Sequence, residues 1–152
     1  MPTSDDRTAV VRAAEAADDP AILALWQAGG LVRPWNDPVL DLARKRADSP
    51  WGLLVAAVDG AVVGTVMVGY DGHRGAVNYL AVAPEQRGRG IGSALMDAAE
   101  TLLRARGCPK VALSVRAEHA EVSAFYARRG YVPESGIGHW GLRLIVDGPP
   151  SS

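Results

Sequence analysis

The chain predicts an α/β (α+β) domain: a mixed, mostly antiparallel central sheet of about seven strands, with about four helices on both faces. Three observations carry that prediction. The segments Trp51–Val58 and Ala61–Gly69 flank Asp59-Gly60, a pair suited to a two-residue hairpin turn. The strand-like run Asn78-Tyr79-Leu80-Ala81-Val82 passes through a glycine-rich turn into a helix-like stretch from Ile91 to about Arg106. In that stretch Ile91, Leu95, Ala98 or Ala99, and Leu102 fall on one face.

The elements follow in order. Thr8 to Ala14 reads as a first strand. Asp18 or Asp19 can cap a helix with Pro20 in its first turn, ending near Ala28 before Gly29-Gly30. Asn36 or Asp37, followed by Pro38, starts a second helix that carries Leu40, Leu42 and Ala43 and ends near Asp48. The hairpin comes next. The turn Asp71 to Gly75 then leads into a fourth strand, Ala76 to Val82. Gly107 closes the third helix as a residue just past its end. Val111 to Val115 is a fifth strand, and a fourth helix spans about His119 to Arg129 before Gly130. Tyr131-Val132 and Trp140 to Val146 supply the last strands. The domain is expected over residues 8–146, with 1–7 and 147–152 as flexible tails.

Composition narrows the function classes. At 152 residues with 48% apolar residues, one domain with a real core is expected. Sixteen basic residues against seventeen acidic ones leave a net charge of −1, so no broad basic surface for nucleic acid or an anionic membrane is implied. Cys108 is the sole cysteine, which excludes an intramolecular disulfide. It is expected as a small, semi-buried residue at a helix-to-strand turn. No apolar run approaches the ~20 residues of a membrane span. Met1 to Arg7 is polar and lacks a signal-peptide core, so a soluble cytoplasmic protein is expected.

The glycine-rich turn carries the chemistry. Arg87-Gly88-Arg89-Gly90-Ile91-Gly92-Ser93 opens a helix with three glycines at alternate positions. Without side chains, successive N–H groups can point into one concavity. The positive end of the helix faces the same spot, a setting for a diphosphate. The dinucleotide fingerprint spaces its glycines differently, and the P-loop lysine is missing. A plain connection needs neither three glycines nor two flanking arginines.

Arg87, Gly90 and Gly92, after a strand and Pro84, resemble the Arg-x-x-Gly-x-Gly loop that binds the acetyl-CoA pyrophosphate in the GNAT N-acetyltransferase superfamily. Ala124-Phe125-Tyr126-Ala127-Arg128-Arg129-Gly130-Tyr131 resembles that superfamily's downstream FYxxxGY segment. The resemblance covers about Thr8 to Ile145. More narrowly, Arg33 to Pro38 and Gly69 to Gly75 look like the bacterial YpeA-type subgroup.

The resemblance implies the GNAT fold and acetyl transfer from acetyl-CoA to a primary amine by direct attack in a ternary complex. It implies no metal. The backbone of Leu80, Ala81 and Val82 would pair with the pantetheine arm as a pseudo-strand. Arg87, Gly88, Arg89, Gly90, Ile91, Gly92 and Ser93 would hold the pyrophosphate, and the arginines can also reach the 3′-phosphate. A thiolate of pKa about 8.5 leaves better beside a proton donor, and Tyr126 is the candidate acid. It lies on one helical face with Ser123 and His119, which would also contact the cofactor. His119 stands where the family commonly has asparagine. It can donate to the cofactor or act as a solvated residue near the helix cap.

Many relatives use a glutamate on or near the fourth strand as base. Ala76 to Val82 carries no carboxylate. Asn78 and Tyr79 occupy that zone, and Tyr79 can polarise a water. The missing carboxylate favours a low-pKa amine or a water-relayed base. Trp26, Trp35, Asp71 and His73 are candidate acceptor-side residues, whereas Trp51 and Trp140 are expected to be structural. In this family the late strands often build dimers, so a homodimer is raised. The partners implied are acetyl-CoA and a small amine or a peptide or protein amine. A non-catalytic acyl-CoA-binding or sensing domain is the alternative reading; a module binding another diphosphate lacks a ribose-reading acid.

Overall fold

A computed structural model describes residues 8–148. Of the tails expected at 1–7 and 147–152, residues 1–7 and 149–152 lie outside the described residues, while Asp147 is buried and paired with Arg44. The chain divides into two compact units: one runs to Ala112 and resumes at Val146, and the other is Leu113–Ile145.

The first unit holds the sheet. Its strands are β1 (Val10–Ala13), β2 (Leu53–Val58), β3 (Ala61–Tyr70), β4 (Gly75–Val82) and β5 (Val111–Ala112), in the spatial order β1-β2-β3-β4-β5. All pairs are antiparallel except β4 with β5. The expected hairpin turns at Asp59 and Gly60, which both have positive φ (51° and 81°), as a right-twisted two-residue turn demands.

Three helices belong to this unit: α1 (Asp19–Ala28), α2 (Pro38–Asp48) and α3 (Ile91–Ala105). Side chains alternate between sheet faces. Leu53 and Val55 of β2 pack with Ile22 and Trp26 of α1 and Leu42 of α2. On the opposite face, a Cβ at Gly64 of β3 would meet Leu95 at 2.9 Å and Ile91 at 3.1 Å. The helices therefore cover both faces, α1 and α2 on one side and α3 on the other. Helix α3 buries Ile91, Leu95, Met96, Ala99 and Leu103.

Local signals explain the helix ends. Asp37 accepts from Val39 N–H at 2.9 Å with Pro38 in the first turn, so α2 starts where its cap lies. Asp18 does not cap α1. Its carboxylate takes Arg12 at 2.8 and 3.0 Å and Glu15 N–H at 2.7 Å. Helix α3 ends in a Schellman pair, Gly107 N–H to Arg104 and Cys108 N–H to Leu103, both at 3.0 Å.

Five strands replace the expected seven. Val111 to Val115 is shortened to two residues. Tyr131-Val132 and Trp140 to Val146 form no strand. Alternating apolar residues only permit a strand, and a ladder partner makes one. Among the described residues that stretch has none. Trp140, expected to be structural, is 92% exposed. Trp51 is held as expected, with the Arg106 guanidinium 3.7 Å from its ring centre.

Candidate active site

The connection from β4 to α3 is shaped by its glycines. A short 3-10 turn, Pro84–Gln86, brings the chain to Arg87, which is extended. Gly88 and Gly90 both sit at φ +78°. A Cβ at either would meet nothing within 4 Å, so the backbone conformation, not space, requires glycine here. Gly90 is the helix N-cap, and no side chain caps α3. The first turn of α3 thus presents N–H groups that no side chain satisfies. Alternation of right- and left-handed residues turns such groups into an anion-binding concavity. Arg87 and Arg89 are exposed beside it. Arg89 also lies 3.5 Å from Gln86 Oε1. This donor set fits a diphosphate.

Immediately upstream, β4 leaves its ladder. Thr65 of β3 pairs with Ala81, and Met67 pairs with Asn78. Val66 therefore stands opposite two residues, Tyr79 and Leu80, which makes a bulge in β4. Tyr79 takes φ +53°, a left-handed conformation rare for a bulky side chain. On its other edge β4 pairs with β5 only at Gly75 and Ala76. From Val77 onward the ladder to β5 has ended, so Leu80, Ala81 and Val82 lie on an edge that β5 does not pair.

Four contacts hold Tyr79. Its ring stacks on Trp26 with centroids 3.8 Å apart and planes 12° from parallel. Its hydroxyl donates to Asp41 Oδ2 at 2.6 Å and accepts from Asn36 Nδ2 at 3.2 Å. Its carbonyl accepts from Thr65 Oγ1 at 3.0 Å. Thr65 Oγ1 in turn accepts from Trp26 Nε1 at 3.3 Å. Burial, with the Asp41 carboxylate beside it, pushes the Tyr79 phenol well above its usual range. The group therefore keeps its proton, and its hydroxyl is already bonded on both sides. The expectation that Tyr79 polarises a water meets a hydroxyl whose hydrogen bonds are spent on Asp41 and Asn36.

Asp41 was not expected. It comes from α2 rather than from β4, at a helix position that carries no signal in the chain itself. Asn36 also donates to Asp41. Arg44 approaches Asp41 at 3.6 Å and reaches Asp147 at 2.6 Å. Asp147, at the edge of the expected tail, is buried and also accepts from Asp37 N–H at 2.9 Å. This ties the start of α2 to the chain's last described residues.

The remaining acceptor-side candidates separate. Trp26 is fully buried, so it lies in the core beneath Tyr79 rather than at a rim. Trp35 is 49% exposed in the loop between α1 and α2. Asn78 is exposed on β4. Asp71 and His73 share the exposed turn before β4, where Asp71 Oδ1 accepts from His73 N–H and Arg74 N–H, both at 2.7 Å. Those bonds, Arg74's first, hold the Asp71 carboxyl below its usual range and make it a weak base.

The second unit carries α4 (Ala120–Arg128). Tyr126 is its one buried residue, edge-to-face with Phe125 at 5.1 Å and with Tyr131 at 5.5 Å. Burial raises its phenol above the usual range, so it holds a proton through neutral pH. His119 is the N-cap of α4, and both His119 and Ser123 are exposed. Phe125 is only half-buried.

A bulged strand that β5 stops pairing, running into a glycine turn flanked by arginines with no side-chain cap, is a donor set that fits a linear ligand ending in a diphosphate. Comparisons with known proteins make that class specific. The family model described as the acetyltransferase (GNAT) family matches residues 20–131, and the chain belongs to that family. Acetyltransferase SG1711 of Sodalis glossinidius is 48% identical over 126 residues, covering 83% of this chain and 89% of that protein. Acetyltransferase YE1169 of Yersinia enterocolitica is 45% identical over 137 residues, covering 90% and 96%. Among solved structures, Ard1 from Thermoplasma volcanium superposes with a TM-score of 0.75 at 28% identity over 84% of each chain. Membership implies acetyl transfer from acetyl-CoA.

Proposed function

We propose that the protein is an N-acetyltransferase that moves an acetyl group from acetyl-CoA to a primary amine by direct attack in a ternary complex. One observation carries the reading: β4 bulges from β3 at Tyr79 and Leu80, and β5 does not pair it beyond Ala76, ahead of the uncapped turn at Gly90. Backbone at Leu80, Ala81 and Val82 then serves the pantetheine arm. The N–H groups from Gly88 to Ser93, with Arg87 and Arg89, serve the phosphates. His119 and Ser123 flank the same cofactor in this reading.

Tyr126 protonates the departing thiolate. Its raised pKa suits a group that must carry a proton at neutral pH and surrender it to a sulfur. β4 offers no carboxylate, so the amine arrives neutral or loses its proton through water near Asn78, Asp71 or His73. An α-amine of pKa about 8 fits that arrangement better than a lysine near 10.4. Trp35 stands in the acceptor loop. The YpeA-type subgroup and a cytoplasmic setting belong to the same reading. So does a homodimer through the late segment, whose Trp140, Leu142 and Leu144 are 85–92% exposed.

The test is release of free CoA from acetyl-CoA, followed with a thiol reagent across a panel of amines, for the wild type and Tyr126→Phe. Amine-dependent release that falls on the order of a hundredfold in the variant supports the enzyme and names its substrate class. Tight acetyl-CoA binding without release for any amine replaces it with an acyl-CoA-binding domain.

A further inference from the structure

We propose that Asp41 is a positioning residue for acetyl transfer: by accepting the Tyr79 hydroxyl it fixes the left-handed backbone of the β4 bulge, and so aims the N–H of Leu80 at the acyl carbonyl. The inference rests on the acetyltransferase reading above.

The geometry of one peptide unit carries it. The Tyr79 carbonyl is bonded to Thr65 on β3. In a trans peptide the N–H points opposite to the C=O, and the chain contains no cis bonds among its described residues. The Leu80 N–H therefore points away from the Thr65 hydroxyl and the Trp26 side of β3, and the far edge of β4 is one that β5 does not pair beyond Ala76. A carbonyl placed on that edge would meet a fixed donor.

That orientation depends on Tyr79 staying left-handed. A bulky residue there costs about 1–3 kcal/mol. The offsetting contacts are of similar size. Aromatic stacking contributes about 0.5–1.5 kcal/mol, and a hydrogen bond to a charged group about 1.5–3 kcal/mol. Neither alone secures the conformation, so removal of the Asp41 contact should let the bulge relax while Trp26 and the core remain. Asp41 acts through Tyr79 and need not touch the substrate. Its role differs from that of a general base, which would have to reach the amine.

The experiment compares the wild type with Asp41→Asn, Asp41→Ala, Tyr79→Phe and the double variant Asp41→Ala/Tyr79→Phe. Acetyl-CoA carrying a ¹³C-labelled carbonyl is bound to each, and the thioester stretch is read by infrared difference spectroscopy. The wild type should show a lowered frequency, the mark of a polarised carbonyl. Asp41→Ala and Tyr79→Phe should return it toward the free value while the acetyl-CoA Kd stays within about twofold. Asp41→Asn, which keeps a neutral acceptor, should fall between. With an amine substrate, kcat should fall at least tenfold at unchanged KM for acetyl-CoA, as partial loss of one oxyanion donor predicts. The double variant should lose no more than either single one, because both cut the same link.

A carbonyl that keeps the lowered wild-type frequency in folded Asp41→Ala and Tyr79→Phe overturns the proposal. So does loss of only the low-pH limb of the rate profile, which would make Asp41 a base. If Asp41→Ala fails to fold, Tyr79→Phe and Asp41→Asn decide. A wild type that polarises the carbonyl yet turns over no amine would sink the acetyltransferase reading and leave the positioning role standing.

Discussion

Around Tyr79 the ring, the hydroxyl and the carbonyl each have a protein partner, and two of them, Trp26 and Thr65, are fully buried. Eleven residues on, at the start of α3, Gly90 begins a helix with no side chain to cap it. The first region spends its polar groups internally and so holds a strained backbone still. The second leaves its N–H groups for something outside the fold. The two are complementary. On the proposed reading, the first would fix a donor for the acyl carbonyl and the second would grip the cosubstrate.

The largest expected effect tests whether the Tyr79 side is structural at root. Trp26→Ala removes a fully buried ring that supports Tyr79, Thr65 and the α1–β2 core. It should cost about 3–5 kcal/mol in urea unfolding, the usual range for an aromatic core truncation. A loss below about 1 kcal/mol would mean that the stack on Tyr79 contributes little and that the bulge has another source.

The α3 entry should respond in the opposite sense. Gly90→Val places a β-branched residue at φ +78° in open space. The left-handed conformation costs an L residue about 1–2 kcal/mol, and relaxation would turn the first N–H groups of α3 away from their ligand. Acetyl-CoA affinity, measured by calorimetry, should weaken about tenfold, while the unfolding free energy falls by no more than about 1–2 kcal/mol. Equal affinity in Gly90→Val would break the comparison, because the turn would then not need its observed shape to bind.

Legibility in the chain follows the same division. The α3 entry was readable because its requirements are local: proline, alternate glycines and an amphipathic helix lie within a few residues of each other. The boundary of α2 was readable for the same reason, through Asp37 and Pro38. The Tyr79 clamp was not. Ala76 to Val82 alternates like an unbroken strand, and nothing local marks a left-handed tyrosine. Its partners Trp26, Asn36, Asp41 and Thr65 come from four separate segments, which meet only in the folded core. Asp41 reads as one polar residue on an amphipathic helix until Tyr79 is brought to it. The late strands failed for the converse reason. Trp140 to Val146 has the residues of a strand, but strand formation depends on a neighbour that no local pattern specifies.

The smallest expected effect separates charge kept for stability from charge kept for chemistry. Asp18 pairs with Arg12 and accepts from Glu15 N–H, far along the chain from either site. Arg12's bond, ahead of the backbone bond, holds the Asp18 carboxyl below its ordinary value despite the opposing effect of burial. A depressed folded pKa stabilises the protein above the unfolded value of about 3.9, and that contribution fades as pH falls through the folded value. Arg12 is partly solvated, so the pair contributes modestly, about 1 kcal/mol or less at neutral pH. Asp18→Asn should therefore be slightly less stable than the wild type at pH 7. The difference should close as the pH drops below about 4, because the wild type then loses what the variant never had. CoA release and acetyl-CoA affinity should be unchanged across that series. A variant whose deficit persists undiminished in acid would show that Asp18 contributes through its hydrogen bonds as a neutral group, and that the charge itself is idle.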